Sequence, residues 1–264
     1  MYVIGERING MFKDVREAIQ AKHKGPIQEL ARKQLAGGAH CLDVNVGPAS
    51  DDPVATMQWL VESIREVTDA PLAIDTTKNE VMAAGIKAAG PGTVINSTTG
   101  QQAKLDALLP LAAEHDASLV ALTIDEKGIP RDAAGRVEIA LRVVAAAMEH
   151  GISPDRIYVD GVIIPVSADQ VTPTHVLNTI SQCKMLSDPP PKTILGLSNV
   201  SQGATYRELI NRTYLVMALA HGLDAAILDP MDREMMDAMI TTELLLNRNV
   251  YCADFLKAYR ASAG

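Results

Sequence analysis

Eight short runs of β-branched and apolar residues recur along the 264-residue chain, and each run ends at a polar residue. Segments with the spacing of amphipathic helices separate these runs. A strand followed by a helix, repeated eight times in ~250 residues, is typical of a closed parallel barrel. We therefore predict an α/β fold, a (β/α)8 TIM barrel, as a single domain over residues 1–264. The predicted strands are Tyr2 to Glu6, Cys41 to Asn45, Leu72 to Asp75, Thr93 to Asn96, Leu119 to Thr123, Ile157 to Asp160, Thr193 to Asn199, and Ala225 to Asp229.

Two of the intervening segments have clear helix signals. Asp52 and Pro53 should begin one helix, because aspartate can cap a first turn and proline fits the first helical position. A later helix should end at Gly151, since glycine favours the left-handed conformation that stops a helix. Its expected buried face consists of Val137, Leu141, Val144 and Met148.

Composition excludes several classes of protein. The net charge of -8 argues against sequence-independent binding of nucleic acid, which needs a basic surface. Cys41, Cys183 and Cys252 lie far apart without a CxxC pair, so a disulfide framework, structural zinc and iron–sulfur cluster are not expected. The first residues do not have the pattern of a signal peptide, and no apolar run reaches the ~18 residues of a membrane span. We therefore expect a cytoplasmic protein without membrane contact.

The polar residues that end the predicted strands are the candidates for a functional site, because the carboxyl ends of barrel strands converge on one mouth. None of them is histidine or cysteine, so a Ser/His/Asp system or a catalytic zinc is not expected. A carboxylate-bound Mg²⁺ stays possible, but no glycine-rich phosphate loop accompanies it. The strand-end residues are Glu6, Asp43, Asn45, Asp75, Asn96, Thr123, Asp160, Ser198, Asn199 and Asp229.

Aspartate and asparagine together suit one kind of organic ligand. A pterin presents an amino group and a ring N–H beside acceptor atoms along a flat edge, which a carboxylate and an amide can bind in complementary fashion. Asp75, Asn96 and Asp160 could do this from neighbouring strand ends. Each residue alone could equally cap a loop or helix, so the prediction rests on the three together.

At this point a family resemblance becomes visible over the whole chain. The sequence resembles the methyltetrahydrofolate:corrinoid-protein methyltransferases, which are related to dihydropteroate synthase and to the folate domain of cobalamin-dependent methionine synthase. One departure is that Gly161 and Val162 follow Asp160, where the family pattern has proline. The matching stretches are IGERING at 4–10, LDVNVGP at 42–48, INST at 95–98 and LGLSNVSQ at 195–202.

The resemblance implies roles for individual residues. Asp75, Asn96 and Asp160 would bind the pterin of tetrahydrofolate or 5-methyltetrahydrofolate, and Asn199 would act in catalysis by hydrogen bonding near N5. Gln202 would flank the folate, and no metal site is expected.

Three further predictions concern the rim and the folate tail. Arg207, which the resemblance places beside the folate, is also a candidate for the tail carboxylates on charge grounds, as is Lys184. Lys184 could equally be a solvated surface cation. Met11 and Phe12 could form an apolar surface on which a corrinoid protein docks, or they could simply cover the first helix.

The implied reaction moves a methyl group between N5 of tetrahydrofolate and the cobalt of a corrinoid. A partner protein should carry the corrinoid, because no histidine lies in a DxHxxG motif. The resemblance also implies a homodimer. The direction of transfer stays open, within an acetyl-CoA-forming pathway or a demethylation system. The alternatives are another pterin enzyme such as dihydropteroate synthase, or a non-catalytic folate-binding barrel.

Overall fold

The computed structural model describes residues 1–251, so Cys252 and the last part of the predicted domain lie outside the described residues. Eight parallel strands form a closed barrel in chain order, and the first strand pairs with both the second and the eighth. The predicted TIM barrel is therefore confirmed. The strands are β1 (Tyr2–Asn9), β2 (Cys41–Asn45), β3 (Leu72–Asp75), β4 (Val94–Thr99), β5 (Ser118–Leu122), β6 (Ile157–Asp160), β7 (Lys192–Gly196) and β8 (Ala225–Leu228).

Helices surround the barrel and connect its strands. None of those in residues 1–251 has the length and apolar character that crossing a membrane requires. Two short 3₁₀ helices, Pro154–Arg156 and Leu197–Ser201, complete the described elements. The α-helices are α1 (Lys13–Gln20), α2 (Lys24–Ala36), α3 (Pro53–Arg65), α4 (Asn79–Ala89), α5 (Gln102–Glu114), α6 (Ala133–Glu149), α7 (Thr172–Cys183), α8 (Arg207–Ala220) and α9 (Arg233–Leu245).

The α3 and α6 helices test the two helix predictions. Asp52 caps α3 by accepting a hydrogen bond from the Ala55 N–H at 3.1 Å, and Pro53 is its first residue, as predicted. The buried face of α6 was predicted wrongly, because Leu141 and Met148 are 48% and 54% exposed. The helix is rotated relative to the prediction, so that a different set of residues faces the barrel. The buried residues of α6 are Ala133, Arg136, Ile139, Ala140, Val143, Val144 and Ala147.

The seventh strand also ends earlier than predicted. β7 stops at Gly196, and the next five residues form the 3₁₀ helix Leu197–Ser201, which we call the β7–α8 turn. Asn199 therefore lies in a helical turn above the barrel instead of on a strand.

The barrel lumen has its own apolar core, separate from the shell between strands and helices. Alternate strand residues point inward, because side chains on a strand alternate between its two faces. Their cluster closes the interior below the carboxyl ends of the strands, so a ligand can enter only from that end. The cluster contains Ile4, Cys41, Ala73, Val94, Val120, Tyr158, Ile194 and Ala225.

Candidate active site

The floor of the barrel mouth is the next inward-facing layer, two residues beyond the lumen core on every strand. A cavity of about 470 Å³ opens above this layer at the carboxyl ends of the strands. Because each strand contributes one inward residue, side chains far apart in sequence meet in one ring. The ring consists of Glu6, Asp43, Asp75, Asn96, Leu122, Asp160, Gly196 and Ile227.

Two side-chain pairs organise one half of this floor. Asn96 Nδ2 donates a hydrogen bond to Asp43 Oδ1 at 2.9 Å, and Asn45 Nδ2 donates to Asp75 Oδ2 at 2.6 Å. Asp75 and Asn96 are also direct neighbours in the pairing of β3 with β4. Because each amide supplies an N–H to a carboxylate, the Asn96 carbonyl oxygen and the second Asp75 oxygen are left as acceptors for a ligand.

Burial raises the pKa of the acids in this half of the floor. For Asp43 the pKa rises well above its usual value, first because of burial and then because Asp75 carries like charge, while the Asn96 hydrogen bond opposes the rise. Burial also raises the pKa of Asp75, against the hydrogen bond from Asn45. Perturbed acids of this kind in a cavity are typical of functional sites.

Asp160 forms the opposite side of the floor. Its side chain is buried, and Oδ1 accepts a hydrogen bond from the Val162 N–H at 2.7 Å. Burial raises the pKa of Asp160 to about 6, although backbone N–H groups of Val162 and Gly196 lower it. The Val162 backbone N–H is required for this bond, because a proline at position 162 could not donate it.

Asn199 lies at the edge of the cavity, on the β7–α8 turn. Its side chain is exposed and passes close over Gly196, since a Cβ built at position 196 would lie 2.9 Å from Asn199 Nδ2. A side chain at position 196 would require the Asn199 amide to shift from this position above the floor.

Glu6 and Arg207 hold the β7–α8 turn from two sides. Ser198 Oγ donates a hydrogen bond to Glu6 Oε2 at 3.0 Å, and burial is the main cause that raises the pKa of Glu6. Arg207 Nε donates to Ser201 Oγ at 3.1 Å, and its Nη2 donates to the Ser198 carbonyl oxygen at 3.3 Å. The segment that carries Asn199 is thus anchored on both flanks.

The charge of the cavity favours a particular kind of ligand. Of the residues that line it, four are carboxylic acids, Glu6, Asp43, Asp75 and Asp160, and Arg207 is the one cation. Such a lining suits a ligand with many N–H donors and disfavours phosphate groups, which need cations or clustered backbone N–H groups.

Most of the predicted site residues meet at this cavity. Gln202 is an exception, because it is exposed and lies outside the lining, where its carbonyl oxygen accepts a hydrogen bond from Ser167 Oγ at 2.8 Å. Its predicted contact with folate stays a prediction. The predicted residues that line the cavity are Met11, Phe12, Asp75, Asn96, Asp160, Asn199 and Arg207.

Lys184 requires a correction. It follows α7 and forms an ion pair with Asp224, which immediately precedes β8 and also accepts a hydrogen bond from the Thr193 N–H at 2.6 Å. This places Lys184 at the amino ends of the strands, opposite the mouth. The prediction that it binds the tail carboxylates of folate is therefore wrong. Its position before β7 could have revealed this, because a helix in this fold returns the chain to the amino end of the next strand.

Met11 and Phe12 lie at the rim of the mouth, as the docking prediction requires. Met11 is 67% exposed. Phe12 is partly buried, and the Arg7 guanidinium lies 4.0 Å from the centre of its ring, a cation–π arrangement that holds the ring in place.

Sequence reasoning did not assign a ligand role to several residues that line the cavity. Asp43 and Glu6 were recognised as strand-end residues, but their partners Asn96 and Ser198 became apparent only in three dimensions. Asn9 and Leu122 carried no separate signal. Within residues 1–251, no group of three His, Cys, Asp or Glu side chains is arranged to hold a metal ion.

Comparison with known proteins agrees with this geometry. A profile of the pterin binding enzyme family matches residues 10–229. The methylcorrinoid:tetrahydrofolate methyltransferase of Eubacterium limosum is 31% identical over 264 residues, covering 98% of this chain and 96% of that protein. A methionine synthase of Mycobacterium tuberculosis is 33% identical over 237 residues, which cover 85% of this chain but only 20% of that protein.

The solved structures with the same fold include dihydropteroate synthases. The Yersinia pestis protein with a pterine–sulfa conjugate has a TM-score of 0.69 and 16% identity, with 94% of each chain covered. The Coxiella burnetii protein with pteroic acid has a TM-score of 0.69 and 14% identity, with the same coverage. At these identities the likeness establishes the fold alone. The family profile and the full-length relative together show that the chain belongs to the pterin-binding enzymes.

Proposed function

We propose that this protein is a methyltransferase that moves a methyl group between N5 of tetrahydrofolate and the cobalt of a corrinoid carried by another protein. The supporting observation is that Asn199 lies at the edge of the same cavity whose floor contains Asp75, Asn96 and Asp160. The full-length relative, named for transfer from a methylcorrinoid to tetrahydrofolate, supports the same chemistry.

The floor would recognise the pterin. Asp75 and Asp160 would accept hydrogen bonds from the pterin amino group and ring N–H, and the Asn96 carbonyl oxygen would accept another. Ionised carboxylates form stronger hydrogen bonds than neutral ones, so binding should depend on both acids losing their protons.

The reaction needs a proton at N5 when the methyl group leaves folate. Reduced Co(I) attacks the methyl carbon, a Co–C bond forms, and the C–N5 bond breaks with its electron pair passing to N5. Because an amine anion is a poor leaving group, N5 must carry a proton. Asn199 would accept a hydrogen bond from protonated N5, or orient the water that supplies the proton. The reverse direction uses the same contacts.

The corrinoid would reach the site through the open mouth of the barrel. Met11 and Phe12 lie at that rim and would contact the corrinoid protein. Gln202, which is exposed and directly follows the β7–α8 turn, would contact the outer part of the folate.

Dihydropteroate synthesis is less well supported than methyl transfer. That reaction needs a site for the pyrophosphate of its pterin substrate, whereas Arg207 is the one cation that lines this cavity and it already binds the β7–α8 turn. The acidic floor would repel an anionic leaving group.

We place the reaction in anaerobic one-carbon metabolism, within either an acetyl-CoA-forming pathway or the demethylation of methoxylated or methylated compounds. We further propose a cytoplasmic homodimer, on the basis of the family resemblance.

The test is anaerobic spectroscopy of Co(I) cobalamin mixed with 5-methyltetrahydrofolate. Wild-type protein should accelerate formation of methylcobalamin, and Asn199→Ala should lower the rate about a hundredfold or more, because it removes a contact made in the transition state. Titration with folate in the absence of cobalamin should show that the variant still binds, since the floor is unchanged.

Asn79→Ala is the matched control, because Asn79 begins α4 outside the cavity. It should retain wild-type activity. Folate binding without methyl transfer, also in the presence of corrinoid proteins, would contradict the proposal. Condensation of a pterin pyrophosphate with p-aminobenzoate would instead identify a dihydropteroate synthase.

A further inference from the structure

The largest fully buried side chain in residues 1–251 is an arginine, Arg136, in the first turn of α6. Its Nε donates to the Gly161 carbonyl oxygen at 2.8 Å, and its Nη1 donates to the Asp132 carbonyl oxygen at 3.2 Å. Nη2 is buried and has no hydrogen-bond partner among the described residues. A buried guanidinium that is not paired with a carboxylate is costly, so a specific role is expected of it.

The carbonyl that Arg136 binds belongs to the residue directly after Asp160. The next residue, Val162, has a φ of +55°, in the left-handed region that β-branched residues rarely adopt. In this conformation its N–H donates to Asp160 Oδ1 at 2.7 Å. Backbone strain of this kind persists only where the surroundings enforce it, and it is concentrated at functional sites.

We propose that Arg136 is a positioning residue for Asp160. By holding the Gly161 carbonyl oxygen, it keeps Val162 in the left-handed conformation that directs its N–H at the Asp160 carboxylate. The guanidinium itself does not touch the cavity, so it acts through the backbone of residues 161 and 162. The inference rests on the proposed function, in which Asp160 binds the pterin.

The packing of Gly161 supports this arrangement. A Cβ at position 161 would lie 3.1 Å from Val176 Cγ1 on α7, so the turn is confined between α7 on one side and Arg136 on the other. The carbonyl of Gly161 therefore has little freedom to rotate while the arginine is present.

The experiment measures the affinity for 5-methyltetrahydrofolate between pH 5 and pH 8, using the full-length protein without corrinoid. In the wild type, affinity should fall as the pH drops through the value at which Asp160 takes up a proton. Arg136→Met should lower affinity about tenfold at pH 7, because the loss of one hydrogen bond to a charged group has that order of effect. It should also move the pH midpoint upward, because the Val162 N–H favours the ionised carboxylate.

The pH midpoint separates a positioning role from a purely structural one. The other ionisable groups around the cavity are not substituted in the variants, and the double variant described below, which lacks the same positive charge, separates loss of the Val162–Asp160 bond from loss of that charge. These groups are Glu6, Asp43, Asp75 and Arg207 in the cavity, and Tyr214 on α8, whose pKa is raised first by burial and then by the Asp160 carboxylate. Asp132 and Asp169 are the acids whose charge acts on Arg136 itself.

A second substitution tests the backbone mechanism. Glycine adopts positive φ without strain, so Val162→Gly should preserve the turn and its N–H even without the arginine. The double variant Arg136→Met with Val162→Gly should therefore recover affinity to within about threefold of the wild type. If Arg136→Met fails to fold, Arg136→Lys, whose single ammonium group lacks the planar fork of the guanidinium, should show a smaller shift in the same direction.

Arg65→Met is the matched control. Arg65 also binds backbone carbonyls, donating to Ala89 and Ala70, but at the amino ends of the strands. It should lose stability without a change in the pH midpoint. An unshifted midpoint in folded Arg136→Met, or no recovery in the double variant, would overturn this inference but would leave the proposed function unaffected. If the wild type does not bind folate, the proposed function falls and the inference with it.

Discussion

At the level of single residues, the cavity floor combines four acids whose pKa burial raises. Such groups destabilise the fold when they ionise, because their charge is less favourable in the protein than in water. For Asp160 the folded pKa of about 6 exceeds the ordinary value of 3.8. Asp160 therefore favours the folded protein most at low pH, where it is protonated. This stabilisation is lost as the pH rises from about 4 to about 6.

Replacement of Asp160 should stabilise the folded protein and weaken its binding of folate. We expect Asp160→Asn to increase the free energy of unfolding at pH 8 by up to about 3 kcal/mol, with a smaller gain at pH 4.5, because the amide has no charge to bury. Folate affinity at pH 8 should fall, since an ionised acceptor is lost. Urea denaturation at the two pH values and folate titration provide the measurements. An equal gain in stability at both pH values would contradict the assigned pKa shift.

The residues of the floor were largely predictable, whereas their partners were not. Asp75, Asn96 and Asp160 end apolar runs, and in a parallel barrel every such end reaches the same mouth. Nothing local in the sequence indicates that Asn45 on β2 binds Asp75 on the neighbouring strand β3, or that Ser198 binds Glu6 from 192 positions away. Those contacts depend on strand register and closure, which are properties of the whole sheet.

At the level of elements, the sequence predicted a helix start correctly where the capping residue lies close in sequence to the N–H group that it binds. Asp52 caps α3 because its side chain reaches an N–H of the first turn only three residues away. The β7–α8 turn was missed for the opposite reason. The residues after Gly196 read as a strand, but they form a 3₁₀ helix. Its Ser198 hydroxyl donates a hydrogen bond to Glu6, 192 positions away, and Arg207, nine positions further along, donates to the Ser198 carbonyl oxygen.

The α3 cap gives a test at this scale. Asp52→Ala should lower the free energy of unfolding by about 1 kcal/mol, because the Ala55 N–H loses its acceptor and the first turn loses a favourable charge. Asp51→Ala is the control, since the neighbouring aspartate is exposed and does not cap the helix. Urea denaturation of both variants measures the difference. Equal losses would show that the effect is one of net charge and not of capping.

At the level of the whole molecule, the barrel depends on closure between its first and last strands. β1 pairs with both β2 and β8, and the lumen core joins side chains from all eight strands. Ile4 is fully buried in that core. No single neighbouring side chain could fill the space left by removal of the Ile4 side chain, because the residues that contact Ile4 come from several strands.

Ile4→Ala should therefore lower the free energy of unfolding by roughly 2–5 kcal/mol, the range for cavity-forming substitutions in packed cores. Leu245→Ala is the control, because Leu245 at the end of α9 is 80% exposed and should cost little. Thermal and urea unfolding provide the comparison. Similar losses in the two variants would contradict the importance of the lumen core.

The sequence by itself determined the barrel, the acidic mouth and the pterin-binding family, because periodicity, strand-end residues and motifs are all local patterns. Only the tertiary structure decided how the mouth is arranged. It paired Ser198 with Glu6 beside the turn that carries Asn199, and it placed a buried arginine behind Asp160. These features arise from contacts between residues distant in sequence, which exist only once the barrel has closed.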